Sequence, residues 1–449
     1  MKKIRIIAFM LAAMMLLAAM SGCKRIDEEQ DAVAGAPDLL PGGETLQEEE
    51  SEQEQEQQTF QPKPISAKNL IDGIPVDTGV MVKDPDAAFI AEQMDFSVEL
   101  LKKVSQKDAG QNVLVSPVSV AMALAMTANG AGGRTAQEML SLLGGHSIED
   151  LNAYWFAWRT DLSGKEQGTV KIANSIWMRD VTGFKVEESF LQTNVQYYNS
   201  EVYSAPFDSA TVRDINQWVG EHTDGMIDHL VDDLSEEARM MLINALAFEA
   251  EWQVPYQDYQ VTADWFTNAA GERQKADFMR SSQGIYLEDD GAIGILRNYK
   301  GGKYSFGALM PEDLDAYLAD FSGEKLQNVL QNTKDGDVRA YLPKFKVEYS
   351  VGMNDLLKEL GMTTAFGPGA DLTKMGNQDL RIDQVLHKTY IEVDVWGTKA
   401  AAVTSMMASG TSAPTVEPKT IRLDRPFIYF IIDNETNLPL FIGTLNTLK

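Results

Sequence analysis

Between residues 89 and 104, apolar side chains recur at helical spacing: Phe89, Ile90, Met94, Phe96, Val98, Leu100, Leu101 and Val104. They predict an amphipathic helix. The next apolar block, residues 112–126, differs in kind. Ser116-Pro117 reads as a helix start, with Ser116 as the cap and Pro117 in the first turn. The helix after it is apolar on every side, as expected at the centre of a large domain. Gly130, Gly132 and Gly133 close it, and Thr135-Ala136-Gln137-Glu138 has the Thr-x-x-Glu form of a capping box opening another helix. Residues 172–178 read as a buried strand and 213–234 as helix and turn. The apolar run 240–248, followed by Trp252, carries one polar residue, Asn244, read as a satisfied core group. Further strands are expected at 307–310, 338–342 and 345–347, with a short helix at 353–360 closed by Gly361. Helices early, strands late and no fixed repeat argue for an α+β fold.

Near the end of the chain the pattern changes. Tyr390, Ile391, Val393, Val395 and Trp396 are typical strand residues. Gly397-Thr398 breaks the run. From there alternate positions are Thr398, Ala400, Ala402, Thr404, Met406, Ala408 and Gly410. The intervening set is Lys399, Ala401, Val403, Ser405, Met407, Ser409 and Thr411. By composition this is an Ala/Ser/Thr-rich surface loop. Side chains of a strand alternate between faces, so the same segment could also serve as a central strand. Its inward face would be small and uncharged, with Lys399 pointing outward.

The 449 residues are 44% hydrophobic, ample for a core over most of the chain. A net charge of −27 with no basic cluster argues against nucleic acid or anionic lipid as an electrostatic partner. Residues 1–23 read as a secretory signal: Lys2, Lys3 and Arg5 precede an apolar run that ends at Ser21-Gly22-Cys23. Cys23 is the single cysteine, so no internal disulfide can form. Its setting resembles a bacterial lipobox, with Met20 where an aliphatic residue is preferred. Lipid attachment at Cys23 is therefore expected, with the protein on the outer face of the cell membrane or the extracellular surface. Residues 24–83 are acidic and Gln/Glu-rich, too poor in apolar surface to offset the entropy of ordering, and read as a disordered tether. The folded domain is assigned to residues 84–449.

No ordinary active site is visible. His146, His222, His229 and His387 form no H-E-x-x-H pair, and no second cysteine exists for a zinc site. Nucleophile-elbow and phosphate-loop motifs are missing too. Neither an enzyme, a metal nor a cofactor is expected.

Several blocks resemble the serpin family: the segment around Ser116-Pro117, Leu342-Pro343-Lys344-Phe345, His387-Lys388, Gly397-Thr398 with three alanines, and Arg425-Pro426-Phe427 through Gly443. This resemblance implies three β-sheets, eight or nine helices and an exposed reactive-centre loop under strain. It implies a monomer that a protease attacks as substrate, forming an acyl-enzyme. The cut loop then enters the large sheet as a new strand. About fifteen residues at 3.3 Å each would carry the protease roughly 50 Å. By the same resemblance the hinge is Val395, Gly397, Thr398, Lys399, Ala400, Ala401, Ala402, Val403 and Thr404, with Val395 and Lys399 where glutamates are usual. A buried polar cluster of Ser116, Ser119, Asn244 and His387 lies beneath the sheet opening. Counting forward from Gly397 sets the reactive bond at Thr411–Ser412, whereas counting back from Pro426 gives a place near Thr415–Val416. Small residues around the forward site point to a serine protease with a small or shallow primary pocket, elastase-like or subtilisin-like. A papain-like cysteine protease as target, or a non-inhibitory binding or carrier protein, are the alternatives.

Overall fold

The all-apolar helix predicted after Ser116 spans Pro117–Ala128, and every one of its residues is buried. Ser116 caps it by accepting the Ser119 N–H at 3.3 Å, and Pro117 opens the first turn without leaving a donor unmet. The helix packs between the strand Pro439–Leu445 and the strands Thr169–Arg179 and Met240–Glu251. It thus fills the space between two sheets. The structure is a computed structural model that describes residues 63–76, 79–162, 168–398 and 418–448, all within the unit Gln58–Lys449.

Seven strands form the large sheet, in the order Lys68–Asn69, Glu201–Ala205, Thr169–Arg179, Met240–Glu251, Gly397–Thr398, Gln384–Val393 and Phe345–Gly352. The remaining strands make two further sheets that share one long member, Arg273–Glu288. Its first part pairs with Val261–Thr267 and Lys334–Pro343, and its last residues, Leu287 and Glu288, pair with Ala292–Asn298. Nine α-helices are present among the described residues. One of them, Ser209–His222, is capped by Asp208, whose carboxylate accepts from the Ala210 and Thr211 N–H groups. This helix lies on the outer face of the large sheet. Its Ile215, Trp218 and Val219 share a core with Met241, Ile243 and Ala245 on one strand and Leu386 and Tyr390 on Gln384–Val393, which pairs with it there.

Three sequence expectations need correction. The capping box at Thr135 does not form: the helix Gly133–Leu142 has Gly132 at its N-cap position and no side-chain cap. Thr135 Oγ1 instead accepts the Asp371 N–H at 2.9 Å, and Glu138 accepts the Thr363 and Thr364 N–H groups at 2.8 and 2.7 Å. Both side chains are drawn to remote backbone donors. The strand after His387 stops at Val393, because Asp394 turns the chain: its carboxylate accepts the Trp396 and Gly397 N–H groups. The structured part also begins before Asp84. Lys68–Asn69 pairs with Glu201–Ala205, while Asp214 accepts from the Ser66 and Ala67 N–H groups and the Ser66 hydroxyl. Ile65, Leu70, Ile71 and Ile74 pack onto the cores beneath, which supplies the apolar burial that the acidic stretch before them lacks.

Candidate functional site

The large sheet contains a seam. Met240–Glu251 and Gln384–Val393 run parallel, paired from Gln384–Met241 to Thr389–Leu246. Parallel ladders are slightly weaker per residue than antiparallel ones. Continuing this register would set Val393 opposite Ala250. Instead Thr398 stands between them, antiparallel to both, and Gly397 faces Glu251. The first two residues of an additional strand are thus already in place at one end of the seam, and they replace one parallel ladder by two antiparallel ones.

Side chains below this point hold the seam closed. Ser116 N–H donates to His387 Nε2 at 2.9 Å, so the imidazole proton sits on Nδ1, which donates to Asn244 Oδ1. Asn244 Nδ2 donates to Ser119 Oγ and to Asn174 Oδ1. His387 and Asn244 are register partners across the seam, so their bond ties its two sides together and Ser116 ties both to the central helix. Ser116, Ser119, Asn244 and His387 are all completely buried. Burial pushes the His387 pKa down to about 3, against a smaller upward pull from Asn244. A neutral imidazole with both nitrogens engaged has no capacity left for acid–base chemistry. Among the described residues no group of three or more His, Cys, Asp or Glu side chains is arranged to hold a metal ion.

At the open end the hinge is clamped by backbone and aromatic groups. Asp394 N–H donates to the Gly397 carbonyl at 3.0 Å and closes the turn. Burial pushes the Asp394 carboxyl up, against the two N–H groups that it accepts. The Trp396 carbonyl accepts from Trp252 N–H at 2.8 Å, the Val395 carbonyl from Tyr256 N–H at 2.9 Å, and the Asp394 carbonyl from the Trp252 indole at 2.8 Å. Val395 itself packs, half-buried, against the main core. Gly397 is required by close approach: a Cβ there would lie 2.0 Å from the Ala250 carbonyl oxygen. The Thr398 side chain points into the core, 1% exposed, with its hydroxyl 2.5 Å from that of Tyr299. Lys399, Ala400, Ala401, Ala402, Val403, Thr404, Thr411, Ser412 and Cys23 lie outside the described residues.

Asn174, Trp252 and Tyr299 belong to this site and carry no sequence signal of it. An Asn within a strand and aromatics in apolar runs are ordinary core residues until their partners are known.

A serpin (serine protease inhibitor) family model matches residues 91–448. Over 362 residues the chain is 30% identical to an uncharacterized serpin-like protein of Thermococcus kodakarensis, covering 78% of this chain and 83% of that one. It is 29% identical to leukocyte elastase inhibitor A of Rattus norvegicus, over 78% of this chain and 96% of the other. Among solved structures, the thermophilic serpin tengpin in its native state matches with a TM-score of 0.81 and 45% identity, over 85% of this chain and 100% of that chain. Tengpin in its latent state matches with a TM-score of 0.72.

Proposed function

The chain belongs to the serpin family, and on that premise we propose that it is a suicide inhibitor of an extracellular serine protease. Serpins are generally protease inhibitors rather than enzymes. The observation that carries the reading is the hinge: Gly397-Thr398 paired antiparallel between two strands whose parallel ladder lies directly ahead of it. In the proposed reaction the protease serine Oγ attacks the scissile carbonyl carbon. The C–N bond breaks, the new amine leaves with the proton, and an ester joins inhibitor to enzyme. The freed end then zips into the seam.

Continuing the observed register would bring Ala400, Ala402 and Thr404 to the levels of Phe248, Leu246 and Asn244, on the core side. From Ala402 on, each residue added exchanges parallel pairing for antiparallel pairing on two sides, so the sheet itself supplies the drive. The enzyme's own hydrolysis of the ester competes with this travel, and the faster process decides the outcome.

Small residues around Thr411–Ser412 favour an elastase-like or subtilisin-like target. Incubation with a protease panel, papain-like enzymes included, should give a denaturant-stable complex with at least one serine protease. Cleavage should also raise the thermal midpoint. Thr398→Arg puts an unpaired cation in the core, costing several kcal/mol, and should leave a cleaved inhibitor and an active protease. Cleavage of the parent chain by every protease without complex, and with an unchanged midpoint, would favour a non-inhibitory binding protein. Attachment to the outer cell surface through lipidated Cys23 is part of the same reading; Cys23→Ser should release the protein from the membrane fraction.

A further inference from the structure

Tyr299 follows the strand Ala292–Asn298 and is completely buried. Its ring lies flat on Trp252, centroids 4.6 Å apart at 5°, and meets the edge of Phe248 at 5.1 Å. Stacking fixes the ring, and the ring fixes where its hydroxyl points. That hydroxyl meets Thr398 Oγ1 at 2.5 Å, and both side chains are shut off from water. Trp252, beneath the ring, donates two hydrogen bonds to the turn that delivers Thr398. One stacked pair therefore holds the hinge at three points, two on the backbone and one on a side chain.

We propose that Tyr299 is a positioning residue of the inhibitory reaction: its hydroxyl holds Thr398 in register and so supplies the nucleus from which the cut loop zips into the seam. The proposal rests on the inhibitory reading above. Because Thr398 already occupies its strand position, the bond exists before cleavage and persists after insertion. It therefore sets the start of insertion and leaves the total drive unchanged. When the hinge withdraws, the Tyr299 hydroxyl stays fixed by the stack and loses its partner, which disfavours withdrawal by roughly ten-fold or more. An insertion that starts from a seated first pair does not wait for the loop end to find the seam, so ester hydrolysis gains less ground.

Tyr299→Phe keeps the ring and the stack and removes only the hydroxyl, leaving Thr398 Oγ1 buried without a partner. With a protease that forms the complex, this variant should raise the number of inhibitor molecules consumed per enzyme trapped several-fold. The rate of loop cleavage should stay unchanged. Thr398→Val should do the same. The double variant Tyr299→Phe/Thr398→Val replaces both polar groups by apolar ones and should recover most of the loss, because the cost lies in orphaning one partner. A merely structural role for Tyr299 would not be repaired by a change at Thr398. A second readout needs no protease: amide hydrogen exchange of the peptide bearing Gly397 and Thr398 should quicken about ten-fold in Tyr299→Phe and return in the double variant. Unchanged exchange in Tyr299→Phe, or a double variant no better than the worse single one, would overturn the proposal. Should the parent chain trap no protease while exchange behaves as stated, the inhibitory reading fails and the hinge contact stands.

Discussion

Acid should loosen the seam at its middle, and His387 sets the amount. The imidazole is neutral in the folded chain because burial pushes its pKa to about 3, whereas a histidine in an unfolded chain titrates near about 6.5. Between those values the unfolded state binds a proton that the folded state refuses. The stability due to neutral His387 is therefore fully present above about pH 6.5 and is lost as pH falls toward 3, at about 1.4 kcal/mol per pH unit. By pH 5 the loss reaches about 2 kcal/mol, a large part of the margin of a typical domain. The geometry explains why the proton is refused. Protonated Nε2 would aim its hydrogen at the Ser116 N–H, which now donates to it at 2.9 Å. His387→Gln keeps a carbonyl acceptor and removes the titration. Urea unfolding of parent and variant from pH 7.5 to 5 gives a difference in which the carboxylates common to both cancel. That difference should shrink by about 2 kcal/mol across the range. A constant difference would mean that His387 is solvated or already charged, and the account of the closed seam would be wrong.

Gly397→Ala should unseat the hinge, since its methyl would fall 2.0 Å from the Ala250 carbonyl; a stability loss of about 1–3 kcal/mol by urea unfolding checks it. The observed register would carry Lys399 to the level of Glu249 and Glu392, one on each flanking strand. Outward placement alone would make Lys399→Glu harmless, but three carboxylates together should cost about 1–2 kcal/mol and slow trapping roughly ten-fold, read as a fall in complex against cleaved product. His222 stacks on Trp218 and lies 3.6 Å from the Glu201 carboxylate; burial works against its charge, yet Glu201 and the Trp218 carbonyl raise its pKa. That contribution is full below about pH 6.5 and is lost as pH rises through the raised value, so Glu201→Gln should lower the His222 pKa in an NMR titration. Asp214→Ala should free the Lys68–Asn69 strand, removing hydrogen bonds to a charged group worth about 1.5–3 kcal/mol each, and limited proteolysis near Ser66 should quicken.

What the sequence made legible, and what it left hidden, divides along the range of the forces involved. The Ser116-Pro117 start and the all-apolar helix could be read because cap, proline and burial pattern lie within one dozen residues. Alternation from Thr398 gave that residue an inward side, and its side chain is buried; the positions after it lie outside the described residues. Thr135 and Glu138 misled because their real partners, Asp371, Thr363 and Thr364, lie more than two hundred residues away, and a local motif competes poorly with well-placed remote donors. The parallel direction of the seam is also nonlocal. Nothing in residues 240–251 or 384–393 states which strand each will meet, yet that pairing decides whether a third strand gains by entering.

Val395 shows the limit most plainly. Where a glutamate is usual, an apolar side chain suggests a missing ion pair and a slack hinge. In the structure the residue acts through its carbonyl, which accepts from Tyr256, while its side chain rests on the core and Trp252 holds the residues on either side. A clamp made of backbone acceptors, two backbone N–H groups and the Trp252 indole does not call on a charge at this position. Glu249 and Glu392 stand at the level that the observed register would give Lys399. Reading the hinge by side-chain identity one position at a time therefore undervalues it, because the interactions that seat it belong to the turn and to the strands on either side.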